Sequence, residues 1–161
     1  MAPAGLKLDE RDWEILKILQ HEGRITKAEL ARRVNLSPTP CWERLQRLEA
    51  AGIIEAYEAR LSLKAFGSVA VVLVEAELDS HRAEDFERFE AAVQTYPEIV
   101  ECWAVGGGLD YILKIVARDV DHYQRLVDEM LDANIGLRRY FTYVVTKPVK
   151  NTTALPLNAL K

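Results

Sequence analysis

The chain has 161 residues, 49% of them hydrophobic and 29% charged, and a net charge of −4, which is the composition of a globular protein with room for one ordinary domain or two small ones. No apolar run approaches the roughly 20 residues needed to span a bilayer. Met1–Lys7 holds no apolar stretch ahead of the charged Leu8–Arg11 segment, so neither a membrane partner nor a signal peptide is expected and the expected compartment is the cytoplasm. Cys41 and Cys102 lie in separate segments without C-x-x-C spacing, so neither a structural disulfide nor a thiolate metal site is expected.

The charge is unevenly spread. Residues 1–60 hold ten Lys/Arg against ten Asp/Glu, while residues 61–161 hold eleven against fifteen and carry the whole excess. Between Arg24 and Leu48 six basic residues (Arg24, Lys27, Arg32, Arg33, Arg44, Arg47) meet two acidic ones (Glu29, Glu43). A local excess of this kind suits a phosphate-facing surface, although a solvated helix face would look the same.

Apolar residues at Leu8, Ile15, Leu16 and Leu19 predict a helix over Asp9–Gln20, stopped by Gly23. Thr26-Lys27-Ala28-Glu29 reads as a capping box opening a short helix that buries Ala28, Leu30, Ala31 and Val34. Asn35 tolerates the left-handed conformation of a tight turn, and Leu36 can plug the corner. Ser37-Pro38-Thr39-Pro40 offers two caps. Thr39 is the expected one, because a Ser37 cap would put Pro40, which has no amide to donate, at the third helical position. Cys41, Leu45 and Leu48 then form a buried stripe, Gly52 ends the helix, and Ile53, Ile54 and Tyr57 suggest an extended segment.

The remainder alternates strand and helix. Val69–Leu78, Ile99–Val105, Tyr111–Ala117 and Leu137–Thr146 read as strands; Ala83–Thr95 and Asp119–Leu131 read as helices, the second capped by Asp119. The order β-α-β-β-α-β is the ferredoxin-like arrangement, with two helices on one face of an antiparallel sheet. In the first strand Ala70, Val72, Val74 and Ala76 can face the helices while Val69, Val71 and Leu73 point away. Strands apolar on both faces need cover on both. The sequence offers no third layer, so a homodimer through the open face is the expected cover, against the alternative of an exposed apolar edge. The expected fold class is α+β: a helix-turn-helix (winged-helix-like) domain at 6–54, an extended linker at 55–67, a ferredoxin-like dimerisation domain at 68–150, and a tail at 151–161.

Two helices joined through Val34-Asn35-Leu36 have helix-turn-helix spacing, in which the second helix enters the major groove. With Cys41, Leu45 and Leu48 buried, that helix presents Thr39, Glu43, Gln46 and Arg47, flanked by Arg44 and Trp42. Arg and Gln suit base edges, Glu accepts from cytosine and Thr meets a thymine methyl. Lys27 and Ser37, at helix starts, suit phosphate contacts. A helical hairpin with a charged face would show the same periodicity.

Further matches run through both halves. Leu8-Asp9, Asp12, Ile15-Leu16, Leu19-Gln20 and Gly23-Arg24, then Ala31, Val34, Leu36-Ser37, Arg44, Arg47-Leu48-Glu49 and Gly52-Ile53-Ile54, and finally Gly107-x-x-Asp110-Tyr111, resemble the Lrp/AsnC (leucine-responsive/asparagine-responsive) transcriptional regulators over about Leu8 to Leu157. The resemblance implies a sequence-specific regulator of double-stranded DNA that answers to an amino acid, pairs into homodimers through its C-terminal domains and assembles further, often to octamers. The departure is Ser37-Pro38-Thr39-Pro40-Cys41-Trp42, where the family commonly has a small, polar run. Trp42 therefore either packs internally or touches DNA.

Gly106-Gly107-Gly108 lacks the spacing of a phosphate-binding loop and reads as a strand connection needing positive φ. The resemblance adds a third reading, in which Gly106, Gly107, Gly108, Asp110 and Tyr111 line an amino-acid pocket between subunits. Asp110 would pair with the ligand ammonium there, or else cap the turn. His21, His81 and His122 have no metal spacing and read as surface residues. Cys41 reads as core, or as a thiolate stabilised at a helix start. No catalytic constellation, cofactor or metal is expected. Two other readings stay open: an amino-acid-binding metabolic module that does not bind DNA, and an architectural DNA-binding protein without effector.

Overall fold

A computed structural model describes residues 6–161; Met1–Gly5, where most of the leader-free opening was read, lie outside the described residues. The described residues form two compact units, one of residues 6–60 and 150–161 and one of residues 61–149. Among the described residues no helix is long and apolar enough to cross a membrane.

The first unit holds α1 (Glu10–Leu19), α2 (Lys27–Arg33) and α3 (Pro38–Ala50). Ile15, Leu30, Ala31, Val34, Cys41, Leu45 and Leu48 form its core, with Leu8, Leu16, Leu19 and Leu36 packed around them. Ala28, expected inside, is exposed, because the buried stripe of this two-turn helix starts at Leu30. The α2 cap is half of the expected box. Thr26 Oγ1 accepts from the Glu29 amide at 3.2 Å, but the Glu29 carboxylate turns to Arg32 and Arg33. The reciprocal capping box lies on α1 instead. Asp9 Oδ1 accepts from the Asp12 amide and Asp12 Oδ2 from the Asp9 amide, both at 3.0 Å.

α2 and α3 end alike. Asn35 takes φ 51° while the Leu36 amide donates to Ala31 O and the Asn35 amide to Arg32 O. Gly52 takes φ 67° while the Ile53 amide donates to Leu48 O and the Gly52 amide to Glu49 O. Both are Schellman closures, and the first sets the turn between the two helices. The α3 start corrects the sequence reading: Ser37, not Thr39, is the N-cap. The first amides of a helix have no intrahelical partner, so a missing amide at Pro40 breaks nothing in the ladder. Its cost is local: Ser37 makes no side-chain capping bond. Residues 53–60 form no strand, and Tyr57 Oη donates to Glu49 at 2.8 Å. The segment 150–161 belongs to this unit: the Leu155 amide donates to Gln20 Oε1 at 3.0 Å, Lys161 pairs with Glu10 at 2.8 Å, and Leu157 is buried.

The second unit begins with a 3₁₀ turn (Leu63–Phe66). It continues through β1 (Ala70–Leu78), α4 (Ala83–Val93), β2 (Ile99–Ala104), β3 (Tyr111–Ala117), α5 (Val120–Asp132) and β4 (Leu137–Val144). The sheet order is β2-β3-β1-β4 with every neighbour antiparallel, which is the ferredoxin-like arrangement expected from the alternation. Asp119 caps α5 as read, its Oδ1 accepting from the His122 amide at 2.6 Å. The inner face buries Val72, Val74 and Ala76 of β1 and Tyr111, Leu113 and Ile115 of β3 beneath Phe89 and Val93 of α4 and Tyr123, Leu126, Val127 and Met130 of α5. Each such large side chain contributes roughly 1.5–3 kcal/mol by leaving water. Cys102 packs against this core.

The other face is apolar and uncovered within the unit. Leu73 stands beside Lys114 of β3 and Tyr143 of β4, and Phe141 beside Glu75. Leu73, Trp103, Phe141 and Tyr143 remain 37–49% exposed.

Candidate functional site

The outward face of α3 begins with the residues the periodicity selected. Cys41, Leu45 and Leu48 are buried; Ser37, Thr39, Glu43 and Gln46 are exposed. Trp42 is half-buried against the core cluster, and Lys27 Nζ sits 3.0 Å from its ring centroid. This cation–π contact joins the start of α2 to α3 and commits one indole face to packing. Cys41 is a core residue: burial pushes its thiol up, against the lowering by Arg44, so the helix start does not hold a thiolate there.

Arg47 is on the exposed face and Arg44 on its flank, as read, but both are tied to carboxylates of the α1 start. Arg44 Nη1 donates to Asp9 Oδ2 at 2.6 Å and to Asp12 Oδ1 at 2.9 Å, while Arg47 Nη2 donates to Asp12 Oδ2 at 2.6 Å. Asp12 is fully buried, yet every oxygen has a donor, as a buried carboxylate requires. The Arg44 bond, then the Asp12 amide, hold the Asp9 carboxyl below its ordinary 3.8. Arg32 and Arg33 are paired as well, with Glu29 and, for Arg33, Glu22. Four of the six cations counted between Arg24 and Leu48 are thus neutralised, mostly by acids outside that window. The arginine–aspartate network was missed because a count along the chain cannot see Asp9 and Asp12 arriving from α1. The available signal was a polar residue, Asp12, amid the apolar stripe of that helix.

These depressed carboxylates predict acid lability. Arg32, then Arg33, bring Glu29 from 4.5 to about 2; the His122 amide, then Arg118, hold Asp119 down, and the Ser80 hydroxyl, before Arg88, holds Asp85 down. A group depressed in the folded state stabilises it above its unfolded value and loses that contribution as pH falls through the folded value. The thermal midpoint is therefore expected to stay level from pH 7 to about 5 and to fall between about 4.5 and 2. Calorimetry across that range checks it; a midpoint that rises on acidification contradicts it.

In the second unit the residues 105–110 connect β2 to β3. Gly107 alone of the three glycines takes positive φ, +147°, and a Cβ on any of them would meet no atom within 4 Å, so the loop is open to a ligand on that count. Asp110 is tied into the sheet end. Its Oδ2 accepts from the Leu78 amide at 2.8 Å, its own amide donates to Ala76 O at 3.0 Å, and His81 Nε2 lies 3.1 Å from its Oδ1. The turn-capping role is thus occupied, with Oδ1 shared only with a largely exposed imidazole. Tyr111 points inward: it is 2% exposed, its ring centroid is 4.6 Å from that of Phe89, and its hydroxyl donates to Glu90 at 2.8 Å. Burial, then the Glu90 bond, push its phenol up. His122, read as a surface residue, is half-buried beside Glu98. Among the described residues no cluster of His, Cys, Asp and Glu could hold a metal ion.

Known proteins match both units. A profile described as the Lrp/AsnC ligand binding domain covers residues 71–155, and one described as winged helix-turn-helix DNA-binding covers residues 8–55. The transcriptional regulatory protein DoeX of Halomonas elongata is 54% identical over 149 residues, 92% of this chain and 94% of its own. The leucine-responsive regulatory protein of Escherichia coli is 42% identical over 151 residues, 94% of this chain and 92% of its own. A transcriptional regulator of Neisseria meningitidis, solved as an L-Met complex, superposes with a TM-score of 0.89 at 36% identity, covering 96% of this chain and 100% of that one. With a helix-turn-helix unit, a four-stranded α+β unit and matches of this extent across both, the chain belongs to the Lrp/AsnC family of transcriptional regulators.

Proposed function

We propose that this chain is a sequence-specific, DNA-binding regulator of the cytoplasm that responds to a free amino acid and acts as a homodimer able to assemble to octamers. The observation that carries the DNA reading is α3, which buries Cys41, Leu45 and Leu48 and leaves Thr39, Glu43 and Gln46 outward behind a Schellman turn. These three are the base-edge readers, with Ser37 and Lys27 for backbone contacts. Arg44 and Arg47, held at their tips by carboxylates, serve the phosphates with the guanidinium nitrogens left over. Trp42 packs. Dimers form through the open sheet face around Leu73, Trp103, Phe141 and Tyr143, whose exposed apolar area supports that contact.

The L-Met bound to the Neisseria regulator supports an amino-acid effector here. Gly106–Gly108 offers backbone amides for a carboxylate, and Asp110 Oδ1 offers itself to an ammonium in exchange for His81. Tyr111 contributes by holding the β3 start in the core. Domain bounds of 6–54, 55–67, 68–150 and 151–161 go with this division of labour, with one change suggested by the contacts of Leu155 and Lys161: the tail serves the DNA-binding unit.

The test of DNA binding is anisotropy on duplex DNA across a salt series. Complexes that weaken steeply with salt and prefer some sequences support the reading; no complex at low salt returns the chain to an amino-acid-binding module. The effector test is a thermal-shift screen of the twenty amino acids on the wild type and Asp110→Asn. Asparagine keeps an acceptor for the Leu78 amide but removes the charge, so the apparent affinity for the best amino acid is expected to drop at least tenfold while the stability of the unliganded protein holds within about 1 kcal/mol. An undiminished response removes Asp110 from the site, and a screen with no response favours an architectural DNA protein.

A further inference from the structure

We infer that Asp12 governs how much positive charge the recognition helix offers to DNA, and so sets the balance between specific and non-specific binding. The inference rests on the DNA-binding reading above and adds a regulator of that surface. Arg44 and Arg47 are the two basic residues of α3 itself, and one buried carboxylate on α1 holds both, from opposite oxygens, at 2.9 and 2.6 Å. Asp9 takes a second bond from Arg44 at 2.6 Å. Two guanidinium groups and two carboxylates sum to zero charge.

The side chains stay partly open, 27% for Arg44 and 44% for Arg47, so their remaining N–H groups reach solvent in fixed directions. A cation that is neutralised yet oriented favours a phosphate at one position over phosphates in general. A released cation binds any backbone, because that term is electrostatic and independent of sequence. Asp12 thus acts as a positioning residue, working through the two arginines without itself reaching DNA.

Asp12→Asn removes the charge and keeps an acceptor for the Asp9 amide. It adds one net positive charge per protomer, two per dimer. Affinity for a random-sequence duplex is expected to rise about tenfold and the salt slope to steepen by up to about 2, the value for two further phosphates neutralised. Affinity for the preferred sequence should rise less, so the ratio between the two falls. Asp12→Glu retains the charge and should restore the wild-type salt slope more closely than Asn does. Asp9→Asn, whose cap is as good as that of aspartate, leaves the buried Asp12 carboxylate in place and should show the same rise at smaller size.

A merely structural Asp12 would lower both affinities together through the unfolded fraction and leave the ratio and slope unchanged; that result overturns the inference. If Asp12→Asn does not fold, Asp9→Asn decides, and an unchanged random-duplex affinity there overturns it. A wild type that binds no duplex removes the DNA reading and this inference together. A wild type that binds, with variants that do not differ, removes this inference alone.

Discussion

Replacing Asp12 with alanine is expected to destabilise the helix-turn-helix unit by about 3–5 kcal/mol, the usual effect of removing one partner from a buried ion pair. Three losses coincide. Arg44 and Arg47 lose the carboxylate they share, the Asp9 amide loses its acceptor, and a void opens where a fully buried side chain stood. The network ties α1 to α3, so the loss falls on the contact that orients the recognition helix. Against a domain stability of about 5–15 kcal/mol, a loss of this size is a large part of the whole. Urea unfolding followed by tryptophan fluorescence measures it, since Trp13 and Trp42 both lie in this unit. A change under about 1 kcal/mol would mean that water replaces the carboxylate without penalty, contrary to the satisfied geometry around it.

Leu73→Arg is expected to abolish the proposed dimer without unfolding the chain. Leu73 is on β1, a central strand, and its side chain points to the open face, so arginine there reaches water in the monomer. In a two-fold interface every substitution enters twice, so two guanidinium groups are introduced, while the neighbouring Lys114 is already paired with Glu101. Burying such unpaired cations costs about 4 kcal/mol, which weakens dimerisation about 1,000-fold. Sedimentation velocity on the wild type and variant reads the result. Unchanged assembly by a folded variant places the dimer contact elsewhere.

The carboxylate–arginine network and the open sheet face differ in how far they could be read from the chain. The face was legible because strand residues alternate: apolar residues at both Val72–Val74 and Val71–Leu73 require two covers, and only one set of helices exists. Elements whose formation depends on near neighbours were legible for the same kind of reason. Asn35 and Gly52 stand where a helix must turn left-handed, Thr26 and Asp119 where an amide needs an acceptor, and β1 to β4 follow from short apolar runs between breakers. The α3 cap was misplaced by an argument that was local but gave too much weight to the amide missing at Pro40.

What only the tertiary structure decided is the state of the side chains that would meet ligands. Sequence distance hides partners. Arg44 and Asp9 are 35 residues apart, and so are Arg47 and Asp12, so a face that looks cationic along the chain becomes neutral once α1 folds against it. Asp110 is separated from Leu78 by 32 residues, and only pairing of β3 with β1 shows that its carboxylate already holds the sheet end. Local pattern determined the helix-turn-helix, the βαββαβ order and the family. Long-range Coulomb attraction and hydrogen bonding determined which charges remain for DNA and for an effector, because these depend on distances that exist only after the elements pack.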